Sequence, residues 1–150
     1  MGVGKPTIGR GEMQTSPVSQ GQVIAAGGGI LLFIFLFLPW FGAPGAENLS
    51  GWEGQTTTDI YLLITAVVAV GAALTGGGGV GPPGMTMNGA TALLGGVGTI
   101  LLLWLVAIDF PDGADRKIGL FLGLLAVIAI AVGGYMAAQG DARGVRRERF

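Results

Sequence analysis

Four apolar runs without a formal charge, 23–41, 60–74, 90–108 and 118–138, take up most of the 150-residue chain. Each approaches the roughly 20 residues that a helix needs to cross a hydrocarbon core about 30 Å thick. The pattern predicts an integral membrane protein of fold class all-α, a transmembrane four-helix bundle of two αα-hairpins. Adding the polar residues that helix ends can recruit, the spans are expected at about 23–41, 58–76, 89–109 and 117–138, within a domain of residues 22–140. Residues 1–21 are expected to form a mobile cytoplasmic tail, and residues 141–150 a basic cytoplasmic one.

Composition agrees with lipid as the solvent. Hydrophobic residues make up 51% of the chain and charged ones 11%, whereas a soluble domain carries roughly 25% charged residues. So few charges could not cover a water-facing surface. Glycine, at 30 residues, is costly in a soluble helix but frequent in membrane helices, where it lets backbones meet. Cysteine and histidine do not occur, which removes disulfides, thiolate chemistry and imidazole metal sites. No cofactor, no metal and no enzymatic activity are expected.

The first apolar run follows about twenty polar residues and exceeds the roughly 7–15-residue core of a secretory signal, so it reads as a span. Pro6 occupies the position that a myristoylation signal gives to serine or threonine. With four spans both tails share one side, and they hold Lys5, Arg10, Arg143, Arg146, Arg147 and Arg149, against Arg116 and Lys117 on the other. The bias places both termini in the cytoplasm of a multi-pass protein of the cell (plasma) membrane. The outer loops then carry Glu47, Glu53, Asp59, Asp109, Asp112 and Asp115, and the tryptophans Trp40, Trp52 and Trp104 fall at or near the outer interface, where an indole is half apolar and half wet.

Helices in lipid associate through small residues. In span four Gly119, Gly123, Ala126, Gly133 and Ala137 recur at helical spacing, with Gly119 and Gly123 forming a GxxxG pair. Gly89, Ala92, Gly96 and Thr99 share a face of span three, and Ala66, Ala69 and Ala73 one of span two. Gly96, Gly119, Gly123 and Gly133 are therefore the expected helix-packing residues, with homo-oligomerisation as their other use. Span one turns the bulky Phe33, Ile34, Phe35, Leu36 and Phe37 toward lipid or a partner.

Chemistry-bearing motifs are sparse. Residues 76–81 match GxGxxG, but they follow an apolar helix and run into Pro82 and Pro83, without the strand and helix that dinucleotide binding requires. Asn48-Leu49-Ser50 matches a glycosylation sequon by a short, common pattern. The outer carboxylates have the oxygen chemistry of a weak calcium or magnesium site, and equally that of helix caps such as Asp59 and Asp115. The basic tail after span four suits topology and anionic headgroups and is too short for nucleic acid. Thr65, Thr75, Thr99 and Tyr135 are the polar groups at depth, and without an ionisable side chain there a proton-coupled transporter has no relay.

Three readings follow. The leading one is a non-enzymatic structural or accessory component of the cell envelope, with membrane lipids and either a protein partner or a second copy through the glycine faces. An oligomeric channel or transporter for an uncharged solute is the second. Lipid or small-ligand recognition at the outer face is the third, with Trp40, Trp52, Glu53, Asp59, Trp104 and Asp109 as its candidates.

The segments Phe37-Leu38-Pro39-Trp40-Phe41, Ser50-Gly51-Trp52-Glu53 and Asp59-Ile60-Tyr61-Leu62-Leu63, together with the glycine-rich last span from Gly119 to Gly134, resemble small, functionally uncharacterised four-span membrane proteins of high-GC Gram-positive bacteria. The similarity covers roughly residues 23–138; the polar tail and the glycine loop lie outside the shared pattern. It implies topology and a bacterial plasma membrane, and no activity.

Overall fold

A computed structural model of the chain describes residues 18–42, 45, 47, 49–50, 53, 56–77, 83–108, 112–113 and 115–148. Among these the architecture is mainly helical: α1 (Gln20–Phe35), α2 (Thr56–Leu74), α3 (Met87–Ala107) and α4 (Ile118–Glu148). A small antiparallel sheet joins them, with β1 (Pro39–Gly42) between β2 (Leu49–Ser50) and β3 (Asp115–Arg116). The all-α expectation is corrected on this point, and the arrangement is not a clean four-helix bundle.

The helix ends follow local chemistry. Ser19 and Gln22 form a reciprocal capping box at the start of α1, and the Thr86 hydroxyl accepts from the Gly89 amide at the start of α3. α2 closes in a Schellman turn: the Gly77 amide donates to Ala72 O at 2.7 Å and the Gly76 amide to Ala73 O at 3.3 Å. That turn needs a left-handed residue after the cap, which Gly76 supplies at φ 64°.

The segments 57–74, 87–107 and 118–143 are helices long and apolar enough to cross a membrane. Their outward surface is hydrocarbon, with Val67 63%, Ile100 67% and Leu125 63% exposed, an arrangement suited to lipid and costly in water. These helices fit a membrane protein.

The first expected span differs. α1 has 16 residues, about 24 Å at 1.5 Å per residue, short of the hydrocarbon thickness. It ends because Leu36, Phe37 and Leu38 turn and Pro39 cannot continue a helix. The chain goes on as extended β1, which gains length at roughly 3.3 Å per residue. Pro39, lacking an N–H, takes the first position of that strand. Phe41 stands opposite Leu49 on one side and Arg116 on the other, with a bulge between Pro39 and Phe41, so the non-helical backbone is paired on both edges.

Packing is most extensive between α1 and α4, the first and last helices; α4 also lies on α3, α1 on α2, and α2 on α3. The contacts are of backbone against backbone. A Cβ on Gly133 would sit 2.5 Å from Ala25 N in α1, and one on the adjacent Gly134 would sit 2.5 Å from Ala92 N in α3. Two consecutive glycines thus let α4 approach two different neighbours. Gly29 does the same toward Ala66 O of α2 at 2.9 Å. Leu32, Leu36, Leu62, Leu102, Leu120, Val127 and Ile130 fill the centre.

The expected faces need two adjustments. In α2 the buried alanines are Ala66, Ala69 and Ala72, not Ala73. In α3 the packed glycine is Gly95, whose Cβ would meet Ala131 N at 2.5 Å, whereas a Cβ on Gly96 meets nothing within 4 Å. Asn88, Thr91, Gly95, Gly98, Leu102 and Leu105 form the buried stripe, about 100° per residue apart and offset by one residue from the expected one.

Candidate functional site

The sheet end of the molecule holds most of the expected recognition residues. Trp40 follows Pro39 in β1, and its ring is 1% exposed. Gly119 and Gly123, one turn apart on α4, leave a slot that the indole fills. A Cβ at Gly119 would lie 2.7 Å from Cδ1, and one at Gly123 would lie 2.7 Å from Cζ2. Indole Nε1 donates to Phe35 O at 2.7 Å, satisfying a carbonyl at the end of α1, and Trp40 O accepts from the Lys117 amide at 3.0 Å. Trp40 is therefore not an exposed recognition side chain: glycines 79 and 83 residues further on create an interior niche for it.

Asp59 lies in the first turn of α2 and is 1% exposed, so its carboxylate is an interior group placed where helix amides favour negative charge. Glu53 is exposed, and its Oε2 accepts from the Ser50 amide at 3.1 Å and the Ser50 hydroxyl at 3.2 Å. Trp104 is 56% exposed on α3. Trp52 and Asp109 lie outside the described residues. Two of the four described candidates are interior and two face outward, so these four do not compose one exposed platform. Arg116, in β3, donates through Nε and Nη2 to Val106 O at 3.1 and 2.7 Å, closing the end of α3.

Of the expected packing glycines, Gly119 and Gly123 receive Trp40, Gly133 receives α1, and Gly96 faces open space.

A polar constellation at the opposite end was not singled out in the sequence. Gln22 of α1 donates from Nε2 to Asn88 Oδ1 of α3 at 3.4 Å, and Asn88 donates from Nδ2 to Asp141 Oδ2 of α4 at 2.9 Å. Gln22 and Asn88 are 6% and 2% exposed. Gly77, just past α2, abuts the Asn88 amide so closely that no side chain fits there. The clasp thus gathers the starts of α1 and α3 and the end of α2 against α4 at Asp141, about two turns before Glu148. Each amide belongs to a helix start next to an apolar run, and that placement was the available signal.

Midway along the helices, Tyr61 hydroxyl of α2 donates to Leu94 O of α3 at 2.7 Å, and its ring lies 3.5 Å from where a Cβ on Gly98 would be. Thr65, Thr91 and Thr99 donate to the carbonyls of Tyr61, Met87 and Gly95, four residues back. Among the described residues no group of three or more carboxylate, imidazole or thiolate side chains is placed to hold a metal ion.

The described helices have the make-up of a helical membrane protein, with the buried Gln22, Thr65, Asn88 and Thr91 bonding within the fold. No protein-family model, no curated protein and no solved structure matches the chain.

Proposed function

We propose that this protein is a non-enzymatic structural or accessory component of the cell envelope, held in the plasma membrane by four crossings with both termini in the cytoplasm. The first crossing is made by α1 with the turn and strand that follow it, and the other three by α2, α3 and α4. This reading agrees with the resemblance to small four-span proteins of high-GC Gram-positive bacteria.

One observation carries it. The buried Gln22, Thr65, Asn88 and Thr91 all bond to other groups of the same chain. Buried polar groups that bind or pass a solute need capacity left over for it. Here the Gln22 and Asn88 amides join α1, α3 and α4, and the Thr65 and Thr91 hydroxyls bond back within their own helices, so these four side chains serve the fold, as expected of a scaffold.

Its partners are membrane lipids together with a protein partner or a second copy. Purification in mild detergent, with mass spectrometry of co-purifying proteins and the mass of the assembly, tests the accessory role; a strictly solitary monomer would sink it.

A further inference from the structure

We propose that the outward face of α4 near its end is a binding site for the headgroup of an anionic phospholipid, held by Arg143 and Arg146; this rests on the membrane reading above. α4 has 31 residues, about 46 Å at 1.5 Å per residue, which is about 16 Å more than the hydrocarbon core requires. The polar clasp marks where hydrocarbon stops. Asp141 is bonded to Asn88, two residues after the Thr86 cap of α3, and Gln22 belongs to the cap of α1 at Ser19. From Ile118 to Asp141 the helix rises about 35 Å, and the headgroup layer outside the core is about 5–8 Å deep. Arg143 comes about 3 Å beyond Asp141 along the axis and Arg146 about 8 Å, so both stand in that layer.

The two sides of the helix differ in chemistry. Successive residues turn by about 100°, so Val127, Ile130 and Ala137 share one side; they are buried, and Asp141 follows them to reach Asn88. The opposite side reads Leu125, Val132, Tyr135, Gln139, Arg143 and Arg146, all exposed. Along this stripe aliphatic groups give way to a phenol, then to an amide, then to two guanidinium groups. A phospholipid presents the matching order of acyl chain, ester and phosphate. The face that meets acyl chains therefore carries the cations.

Charge decides the occupant. Among the described residues no hydrogen bond or ion pair engages either guanidinium, and arginine meets a phosphate through a planar fork of donors. A second copy docked symmetrically on this face would set arginines against arginines. Residues 1–17 carry Lys5 and Arg10 against the single acid Glu12, so that segment is repelled as well. The carbonyl end of a helix favours cations on every side of its last turn; it does not account for Arg143 and Arg146 standing on the side that continues the lipid-facing stripe, and an anionic headgroup does.

Full-length protein, delipidated in a nonionic detergent, is titrated with 1-palmitoyl-2-oleoyl phosphatidylglycerol and with the phosphatidylcholine of the same chains, and retained lipid is read by native mass spectrometry. The wild type half-saturates with phosphatidylglycerol at a concentration about tenfold or more below that for phosphatidylcholine. Arg143→Gln and Arg146→Gln each raise the phosphatidylglycerol value about fivefold, and together about tenfold or more, while the phosphatidylcholine value stays as in the wild type. The single variants keep the test open should the double variant misfold. Lys117→Gln, which removes a cation at the other end of the molecule, binds as the wild type does. Equal values for the two lipids, or arginine variants that bind phosphatidylglycerol as the wild type does, overturn the site. Displacement of the bound lipid by millimolar glycerol 3-phosphate overturns the assigned source in favour of a soluble phosphate. An acidic protein that co-purifies with the wild type and is lost from the double variant, with lipid binding unchanged, gives the face to that protein instead. Release of the chain from membranes by alkaline carbonate refutes the membrane reading itself, whereas an integral chain without the phosphatidylglycerol preference refutes the headgroup site alone.

Discussion

Gly123→Ala and Trp40→Ala, made singly and together, measure how tightly the slot on α4 grips the indole. The alanine methyl at position 123 would begin 2.7 Å from Cζ2 and 2.9 Å from Cη2 of Trp40, where carbon pairs prefer about 3.5–4.0 Å. The ring has little room to retreat, because Nε1 is bonded to Phe35 O and Cδ1 lies over Gly119. Overpacking of this kind costs about 1–3 kcal/mol, offset by about 1 kcal/mol from replacing a helical glycine. Trp40→Ala alone should cost about 3 kcal/mol, the low end for a buried tryptophan, because a dissociated helix remains in hydrocarbon and little water-transfer energy is lost. With the ring gone, Gly123→Ala loses its clash and keeps its helical gain, so in that background it should stabilise by up to about 1 kcal/mol. The cycle predicts a coupling of about 1–3 kcal/mol. Reversible unfolding by dodecyl sulfate in mixed micelles, followed by circular dichroism, supplies the four free energies. Additivity within about 0.5 kcal/mol would refute the slot.

Two further substitutions probe the other contacts. Gly95→Leu drives a side chain into the α4 backbone at Ala131 and should destabilise by about 3 kcal/mol or more, while Gly96→Leu, one residue on, should stay within about 0.5 kcal/mol in the same unfolding assay; a reversed order would place the α3 face wrongly. Asn88→Leu removes the partner of both Gln22 and Asp141 and should cost about 1–3 kcal/mol, read as a lower unfolding midpoint, with faster amide exchange at the start of α3 and at Gly76 and Gly77.

The helices were legible because long uncharged runs leave a chain in lipid few alternatives: α2, α3 and α4 begin within about two residues of the expected spans, although α4 runs on past the expected end at 138, through most of the expected basic tail, to Glu148. The end of α1 was half legible. Pro39 announces a break, but a run reaching Phe41 reads equally well as helix, and only the pairing of β1 with Leu49 and Arg116 makes it a strand. Strands of two to four residues leave no periodic trace in sequence. The burial of Trp40 was hidden for a related reason: proline and tryptophan closing an apolar run look alike whether the indole is exposed or fills a glycine slot, and the slot belongs to a segment far along the chain. Gly95, Gly96 and Gly98 stand so close together that helical spacing alone could not choose among them. The choice was made by α4, through Ala131, and by Tyr61 of α2.

The latch between β1 and the start of α4 bears on the order of assembly. During synthesis the first helix emerges with its glycine face, its tryptophan and one strand edge all lacking partners that lie beyond residue 114. α2 can cover Gly29 early, but Gly21, Gly28 and Trp40 wait for α4. α4 is thus the helix that completes α1, made well after it, and a chain interrupted before α4 would leave α1 and β1 still able to pair with the wrong neighbour.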